Sequence, residues 1–223
     1  KKPVPKIMLG KSDWPAGGVS DDTLLSLLTI SCLDSADAEL GAMAFKEKLR
    51  VAAPTLRGLG PTTRHALGIH VEEREVGIIG VTNGGMMRTA LLGLGFNGSA
   101  NAARQEWCRA LCAATHDKPD ALAAALLMVE IFARGLELRD WDIDMALEAA
   151  RKTVVDVPFE FESHLDTAKE FVSTVSGVSL NPLETLLSVL SVARKSETVW
   201  DAYENSICLG GDTDTVAALS GAL

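Results

Sequence analysis

The sequence contains few aromatic residues and no long apolar run. Phe, Trp and Tyr make up only 5% of its 223 residues. No stretch reaches the roughly 18 apolar residues that a transmembrane helix needs, so we predict no membrane span. The first ten residues are basic but lack the apolar centre of a signal peptide. Basic residues are in deficit: 21 Lys and Arg against 30 Asp and Glu give a net charge of −9, which argues against nucleic acid as the main partner.

Ala, Leu and Gly supply most of the apolar content, which amounts to 47% of the chain. Because Ala and Leu have the lowest cost in a helix, this composition predicts an all-α fold. We expect a single domain over residues 1–223, with 1–16 as an extended loop. Apolar periodicity and capping residues predict about nine or ten helices. They fall at 21–33, 37–50, 88–96, 100–115 (capped by Ser99), 119–134, 141–155 (capped by Asp140), 164–176, 182–193, 196–208 and 216–223, with a short extended piece within 71–82.

Four cysteines all lie in apolar stretches with helical periodicity: Cys32, Cys108, Cys112 and Cys208. This placement predicts buried free thiols, which suit a reducing compartment, and we expect a cytoplasmic protein. Cys108, Cys112 and His116 share one helix stripe and could suggest zinc. Three ligands along a straight helix span about 12 Å, however, which is too far for one ion. Buried thiols beside one functional or capping histidine is the preferred interpretation.

Two acidic motifs stand far apart in the chain. The first is Gly17-Gly18-Val19-Ser20-Asp21-Asp22-Thr23, and the second is Gly210-Gly211-Asp212-Thr213-Asp214-Thr215. Each follows paired glycines and places two carboxylates in the first turn of a predicted helix. Two ordinary N-caps would explain the residue types, but a cap uses one acceptor, and crowded carboxylates repel one another unless a cation is present. Hard divalent cations prefer oxygen ligands, so the motifs together predict a site for a pair of metal ions.

A third motif, Thr82-Asn83-Gly84-Gly85-Met86-Met87-Arg88, places successive glycines before a predicted helix. Free backbone N–H groups at a helix start favour anions, so this loop could hold a phosphate or pyrophosphate. It matches neither a P-loop nor the G-x-G-x-x-G pattern. Taken alone, an Asn-Gly-Gly segment is more often simply a turn.

Together these motifs resemble the ADP-ribosylglycohydrolase family. The family's Thr-Asp-Asp motif is similar to Ser20-Asp21-Asp22, and its Asn-Gly-x-x-Met-Arg loop to 83–88. Its mid-chain Thr-His pair resembles Thr115-His116, and its closing Gly-x-Asp-x-Asp-Thr motif matches 211–215. The order and spacing agree from about residue 17 onward.

The resemblance implies a compact orthogonal multi-helix bundle with a central dimetal site holding two Mg²⁺, or Mn²⁺ in some members. It implies Ser20, Asp21, Asp22, Asp212, Asp214 and Thr215 as metal ligands. Thr82, Asn83, Gly84, Gly85 and Met86 would hold the phosphates and distal ribose of ADP-ribose, with His116 near the phosphates. Asp21 or Asp22 would orient or deprotonate the water that cleaves the bond at ribose C1″. The expected substrate is an ADP-ribosylated protein or an ADP-ribose-containing small molecule, and the acceptor (Arg, Ser, a nucleic-acid end or O-acetyl-ADP-ribose) stays open.

The sequence also departs from the family pattern. Members usually carry a helix with Gly-x-x-x-Gly-Asp before the first acidic motif and a further helix after the closing one. We expect both segments to be absent here, trimmed or supplied by another chain. Two alternatives to the hydrolase therefore stay open. One is a relative that keeps the fold, with or without the ligand site, and has no turnover. The other is a different two-metal hydrolase acting, for instance, on phosphoesters.

Overall fold

In a computed structural model, residues 18–96, 99–137, 142–166 and 177–223 are described, and they are almost entirely helical. Within these ranges there is no β-sheet; Val178 and Gly211 form an isolated parallel bridge. The predicted all-α class is confirmed. The α-helices are α1 (Asp21–Ile30), α2 (Ala38–Ala52), α3 (Pro61–Ala66), α4 (Gly84–Thr89), α5 (Leu92–Gly95), α6 (Asn101–Ala113), α7 (Pro119–Glu137), α8 (Ile143–Thr153), α9 (Phe159–Asp166), α10 (Pro182–Lys195), α11 (Val199–Leu209) and α12 (Thr213–Ala222), with 3-10 turns at Ala53–Thr55 and Glu73–Ile78.

The extended piece predicted within 71–82 is wrong, because a 3-10 helix occupies Glu73–Ile78. Its start is stabilised by the Glu75 carboxylate, which accepts a hydrogen bond of 3.0 Å from the backbone N–H of Glu72. Arg64 of α3 pairs with the same carboxylate at 2.7 Å. A capping interaction and an ion pair to a neighbouring helix therefore favour a 3-10 helix over the extended backbone that we predicted.

Two helix starts differ from the predicted caps. The helix predicted to be capped by Ser99 begins at Asn101, with Ala100 in the cap position and no side-chain cap. The helix predicted from 141 begins at Ile143, where the Asp142 side chain accepts from the N–H groups of Asp144 and Met145. The predicted extended loop at 1–16, Asp140 itself and the second half of the helix predicted at 164–176 lie outside the described residues.

The core is organised around α7. This helix is rich in Ala and Leu and is buried on nearly every side from Ala121 to Ala133, as expected of a helix that is apolar all round. It packs against α4, α5, α6, α8 and α10. At Gly93 of α5 an added Cβ would lie 2.6 Å from the Phe132 Cβ, so only glycine permits this close approach. None of the described helices is both long enough and apolar enough to cross a lipid bilayer.

The cysteine prediction is confirmed for three residues. Cys32, Cys108 and Cys112 are buried, and all four cysteines are free thiols. Cys208 is exposed. The α11 helix turns Ala202 and Ser206 inward. A residue two positions beyond Ser206 points away from that face, because successive helical residues are rotated by about 100°.

A buried ion pair fastens α6 to α7. Arg104 and Glu130 are both fully buried, and Arg104 Nη2 lies 2.6 Å from Glu130 Oε2. Gln105 adds a hydrogen bond of 3.1 Å to the other carboxylate oxygen, and Arg104 also donates to Asn101 at 2.7 Å. The two charges are thus compensated by each other and by hydrogen bonds. Removing one would leave the other buried in the core without a counter-charge.

We predict that Glu130→Ala lowers the free energy of unfolding by about 3–5 kcal/mol, because it leaves the Arg104 guanidinium buried without its counter-charge. Urea denaturation monitored by circular dichroism measures this change. The matched control is Glu47→Ala, which breaks the exposed pair with Arg50 and should cost about 1 kcal/mol or less. Equal losses in the two variants would show that burial of the Arg104–Glu130 pair does not matter.

Candidate active site

The two acidic motifs meet in one cleft. The N-terminus of α1 and the N-terminus of α12 form one wall, and the start of α4 with His116 forms another, around about 460 Å³ of empty space. The cleft is therefore built from segments at distant positions in the sequence. It is lined by Asp21, Asp22, Gly58, Gly60, Thr63, Thr82, Asn83, Gly84, Met87, His116, Leu180, Asp212, Asp214 and Thr215.

The first acidic motif does not act as an ordinary helix cap. Ser20 occupies the N-cap position of α1 but makes no side-chain cap. Its hydroxyl instead donates to Asp22 Oδ2 at 2.8 Å. Asp21 and Asp22 are both buried, and a Cβ added to Gly58 would lie 2.6 Å from Asp21 Oδ1. The polar atoms of this helix start are thus directed to the cleft; Gly17 lies outside the described residues.

The second acidic motif is held by a backbone bridge. Gly210 and Gly211 adopt φ angles of 76° and 74°, a region that favours glycine. This path lets the Gly210 carbonyl accept from the Val178 N–H at 3.0 Å, while the Asp212 N–H donates to the Val178 carbonyl at 2.9 Å. Asp212 sits at the N-cap position of α12 without capping it. The Asp212 carboxylate is therefore not used by the helix start, and the residue lines the cleft.

Asn83 connects the third motif to the second. Its backbone N–H donates to the Leu180 carbonyl at 2.9 Å, and its side-chain Nδ2 donates to Asp212 Oδ2 at 2.5 Å and to Thr185 Oγ1 at 2.9 Å. The sequence-based prediction placed Asn83 among the substrate-binding residues. In the structure its amide is already used to hold the Asp212 carboxylate.

Burial and mutual repulsion dominate the electrostatics of the acidic wall. Burial raises the pKa of Asp21 to about 7, with further contributions from the nearby carboxylates of Asp22, Asp214 and Asp212. Burial likewise raises the pKa of Asp212 to about 7, although its bond from Asn83 opposes the shift. The pKa of Asp22 is also raised, by burial first and by Asp214 second, and Ser20 and Thr215 moderate it. The cleft therefore holds negative charge at a considerable energetic cost.

The wall formed by the start of α4 and His116, the neutral wall, owes its shape to glycines. Gly84 and Gly85 are the first residues of α4 rather than a loop before it. A Cβ at Gly84 would lie 3.1 Å from the His116 ring, and one at Gly85 would overlap Cys112 and approach His116. Because the helix already runs at this point, Met86 is turned fully into the core. Of the two methionines, it is Met87 that lines the cleft.

His116 is held on both sides of its ring. Nδ1 lies 2.7 Å from Thr115 Oγ1, and Nε2 lies 2.9 Å from Thr82 Oγ1. Burial, assisted by the Arg88 charge, lowers the pKa of His116 to about 3. The imidazole is therefore neutral at physiological pH.

The structure brings Ser20, Asp21, Asp22, Thr82, Asn83, Gly84, His116, Asp212, Asp214 and Thr215 to one region. Sequence reasoning missed Gly58, Gly60, Thr63 and Leu180, which lie in loops or a short helix without a recognisable motif. Among the described ranges, no three or more His, Cys, Asp or Glu side chains converge so as to hold a metal ion. The dimetal centre thus stays a prediction.

Comparison with known proteins identifies the family of the chain. The family model for ADP-ribosylglycohydrolase matches residues 2–223, so the chain belongs to the ADP-ribosylglycohydrolase family. Membership indicates a glycosidase-type hydrolase that acts on ADP-ribosylated substrates. A search of curated proteins returned no match to this chain. Because the match begins at residue 2, it does not support our expectation that the usual N-terminal family segment is missing.

We predict that Asp21→Asn stabilises the metal-free protein at pH 8 by about 2 kcal/mol, a gain that disappears near pH 4. Since the folded pKa of Asp21 is about 7 rather than the ordinary 3.8, its carboxyl contributes stability below pH 4 and loses that contribution as pH rises towards 7. Thermal unfolding in a chelator across this pH range measures the effect. Asp34→Asn, on an exposed residue outside the cleft, is the control. A variant no more stable than wild type at pH 8 would contradict the electrostatic account.

Proposed function

We propose that the chain is a Mg²⁺-dependent hydrolase that removes ADP-ribose from a modified acceptor by cleaving the N- or O-glycosidic bond at ribose C1″. The observation that carries the proposal is that Asp21, Asp22, Asp212 and Asp214 all line one cleft. Three of these carboxyls have raised pKa values. A cation would offset both the burial cost and the mutual repulsion that raise these pKa values.

The residues present fit hard divalent cations. Asp22 Oδ1 is buried and has no hydrogen-bond partner, an arrangement that a bound cation would satisfy. All six candidate ligands offer carboxylate or hydroxyl oxygen, which suits Mg²⁺ and also Mn²⁺. We propose that two cations are held by Ser20, Asp21, Asp22, Asp212, Asp214 and Thr215.

When bound, such cations supply electrostatic stabilisation near ribose C1″ and lower the pKa of a coordinated water. The protein's own residues orient the water and transfer its proton. Asp21 or Asp22 orients the attacking water and accepts its proton. The water oxygen bonds to C1″ as the bond from C1″ to the acceptor nitrogen or oxygen breaks, and the acceptor atom leaves with the proton that the carboxylate took from the water. Asn83 keeps Asp212 in place during this exchange.

The neutral wall suits the rest of the ligand. Residues 82–84 and His116 line the cleft without contributing an acidic side chain, so this part of the cleft can receive the phosphates of ADP-ribose. We propose that Thr82, Gly84 and the neighbouring backbone contact them, with Gly85 acting by allowing the close packing on His116. The substrate is an ADP-ribosylated protein or small molecule. The buried free thiols Cys32, Cys108 and Cys112 favour a reducing compartment such as the cytoplasm.

We predict that the wild-type protein releases ADP-ribose from an ADP-ribosylated peptide in Mg²⁺ and not in excess chelator. Asp212→Asn and Asp214→Asn should each lower kcat by about 100-fold or more, because each removes a charged cation ligand. Chromatographic quantification of free ADP-ribose, on peptides modified at Arg and at Ser, gives the measurement and identifies the acceptor bond.

Asp34→Asn serves as the matched control for charge, and circular dichroism verifies that every variant folds. Turnover that persists in chelator, or in both variants, would contradict the cation-dependent proposal. ADP-ribose binding without turnover would instead identify a binding relative of the family. Phosphate release from a generic phosphoester would indicate a different hydrolase.

A further inference from the structure

A continuous line of hydrogen bonds runs beneath the neutral wall of the cleft. It starts at the buried guanidinium of Arg88, passes through Thr115 and His116, and ends at Thr82 and Thr62. From its donors and acceptors we infer that Arg88 and Thr115 fix His116 as the Nε2–H tautomer, so that His116 is a positioning residue whose ring N–H holds Thr82. The effect of this tautomer on ADP-ribose binding rests on the proposed function, whereas the assignment of the tautomer does not.

The Arg88 end of the line determines the direction of the first bond. A guanidinium can only donate, and Arg88 Nη2 donates to Thr115 Oγ1 at 2.9 Å. The same nitrogen also donates to the Leu111 carbonyl at 2.7 Å, near the C-terminus of α6, where a cation is favourable. With one lone pair occupied by Arg88, the Thr115 hydroxyl directs its own proton to His116 Nδ1.

The hydrogen bonds at the Thr62 end of the line lead independently to the same Nε2–H tautomer. The backbone N–H of Gly80 donates to Thr62 Oγ1 at 3.0 Å, and the Thr62 hydroxyl has the Ile78 carbonyl as its acceptor at 3.4 Å. Thr62 therefore accepts from the Thr82 hydroxyl, 2.9 Å away. Since this bond uses the only proton of Thr82, the contact between Thr82 Oγ1 and His116 Nε2 requires the ring nitrogen to be the donor.

Only the Nε2–H tautomer leaves every one of these groups with a partner. In the other tautomer Thr115 Oγ1 would face two donors, Arg88 and Nδ1–H, and its own proton would have no acceptor among these contacts. The unpaired donor would then be the half-buried Thr115 hydroxyl, and leaving it without an acceptor costs free energy. The low pKa of about 3 agrees with a ring that stays neutral and does not exchange protons during turnover.

The line reaches the cleft at Thr82. That residue is buried and directly precedes Asn83, whose amide holds Asp212. A fixed Thr82 therefore fixes the 82–84 backbone that borders the expected phosphate position. Loosening it should weaken ADP-ribose binding far more than it slows the bond cleavage at the carboxylate wall.

The test pairs a spectroscopic measurement with a matched variant pair. Nitrogen-15 NMR of the metal-free protein should show a protonated Nε2 and an unprotonated Nδ1 for His116. Thr115→Val removes the hydroxyl at constant shape, and it should produce a mixture of tautomers and raise the Kd for ADP-ribose about tenfold, with kcat changed no more than about twofold. Thr115→Ser keeps the hydroxyl and should restore the wild-type values.

A protonated Nδ1, or an imidazolium, in the wild-type spectrum would overturn the assignment. So would a Thr115→Val variant that loses kcat but not affinity, because His116 would then act in the chemistry rather than in positioning. A wild-type protein that shows the Nε2–H signal but neither binds nor hydrolyses ADP-ribose would support the tautomer and contradict only the proposed function.

Discussion

The concentration of buried carboxylates where two helices begin is the constraint on which the rest of the site depends. Asp21 and Asp22 at the start of α1 face Asp212 and Asp214 at the start of α12. Helix N-termini carry partial positive charge, which moderates this repulsion without removing it, as the raised pKa values show. The arrangement is unfavourable for the isolated protein, and the proposed cations would offset that cost.

The surrounding fold restrains these groups by backbone geometry rather than by opposite charges. The Val178–Gly211 bridge positions Asp212, the Asn83 amide holds its carboxylate, and Gly58 leaves room for Asp21. Arg88, a buried cation close to the cleft, is occupied with α6 carbonyls, with Thr115 and with the face of the Phe45 ring. Its Nη2 hydrogen bonds therefore connect the core to the wall that carries His116, and they are not made to the carboxylates of the acidic wall.

The sequence predicted the site better than the path of the chain around it. The paired acids after glycines and the Asn-Gly-Gly motif were visible because residue type and spacing carry their chemistry. The 3-10 helix at Glu73–Ile78 and the start of α6 were mispredicted, because tertiary contacts and local capping decided them. The hydrogen bond from Asn83 to Asp212 and the burial of Met86 in the core could not be derived, since both depend on α4 beginning at Gly84. Gly58 and Leu180 enter the cleft through folding of loops that carry no local signal.

The wide separation of the two acidic motifs has a consequence for how the molecule forms. Asp22 and Asp212 are 190 positions apart in the chain, so their contact closes one of the longest loops in the protein and carries a correspondingly large entropic cost. A chain segment still lacking α12 has only half of the proposed cation ligands. The proposed site therefore forms only once α12 packs beside the start of α1.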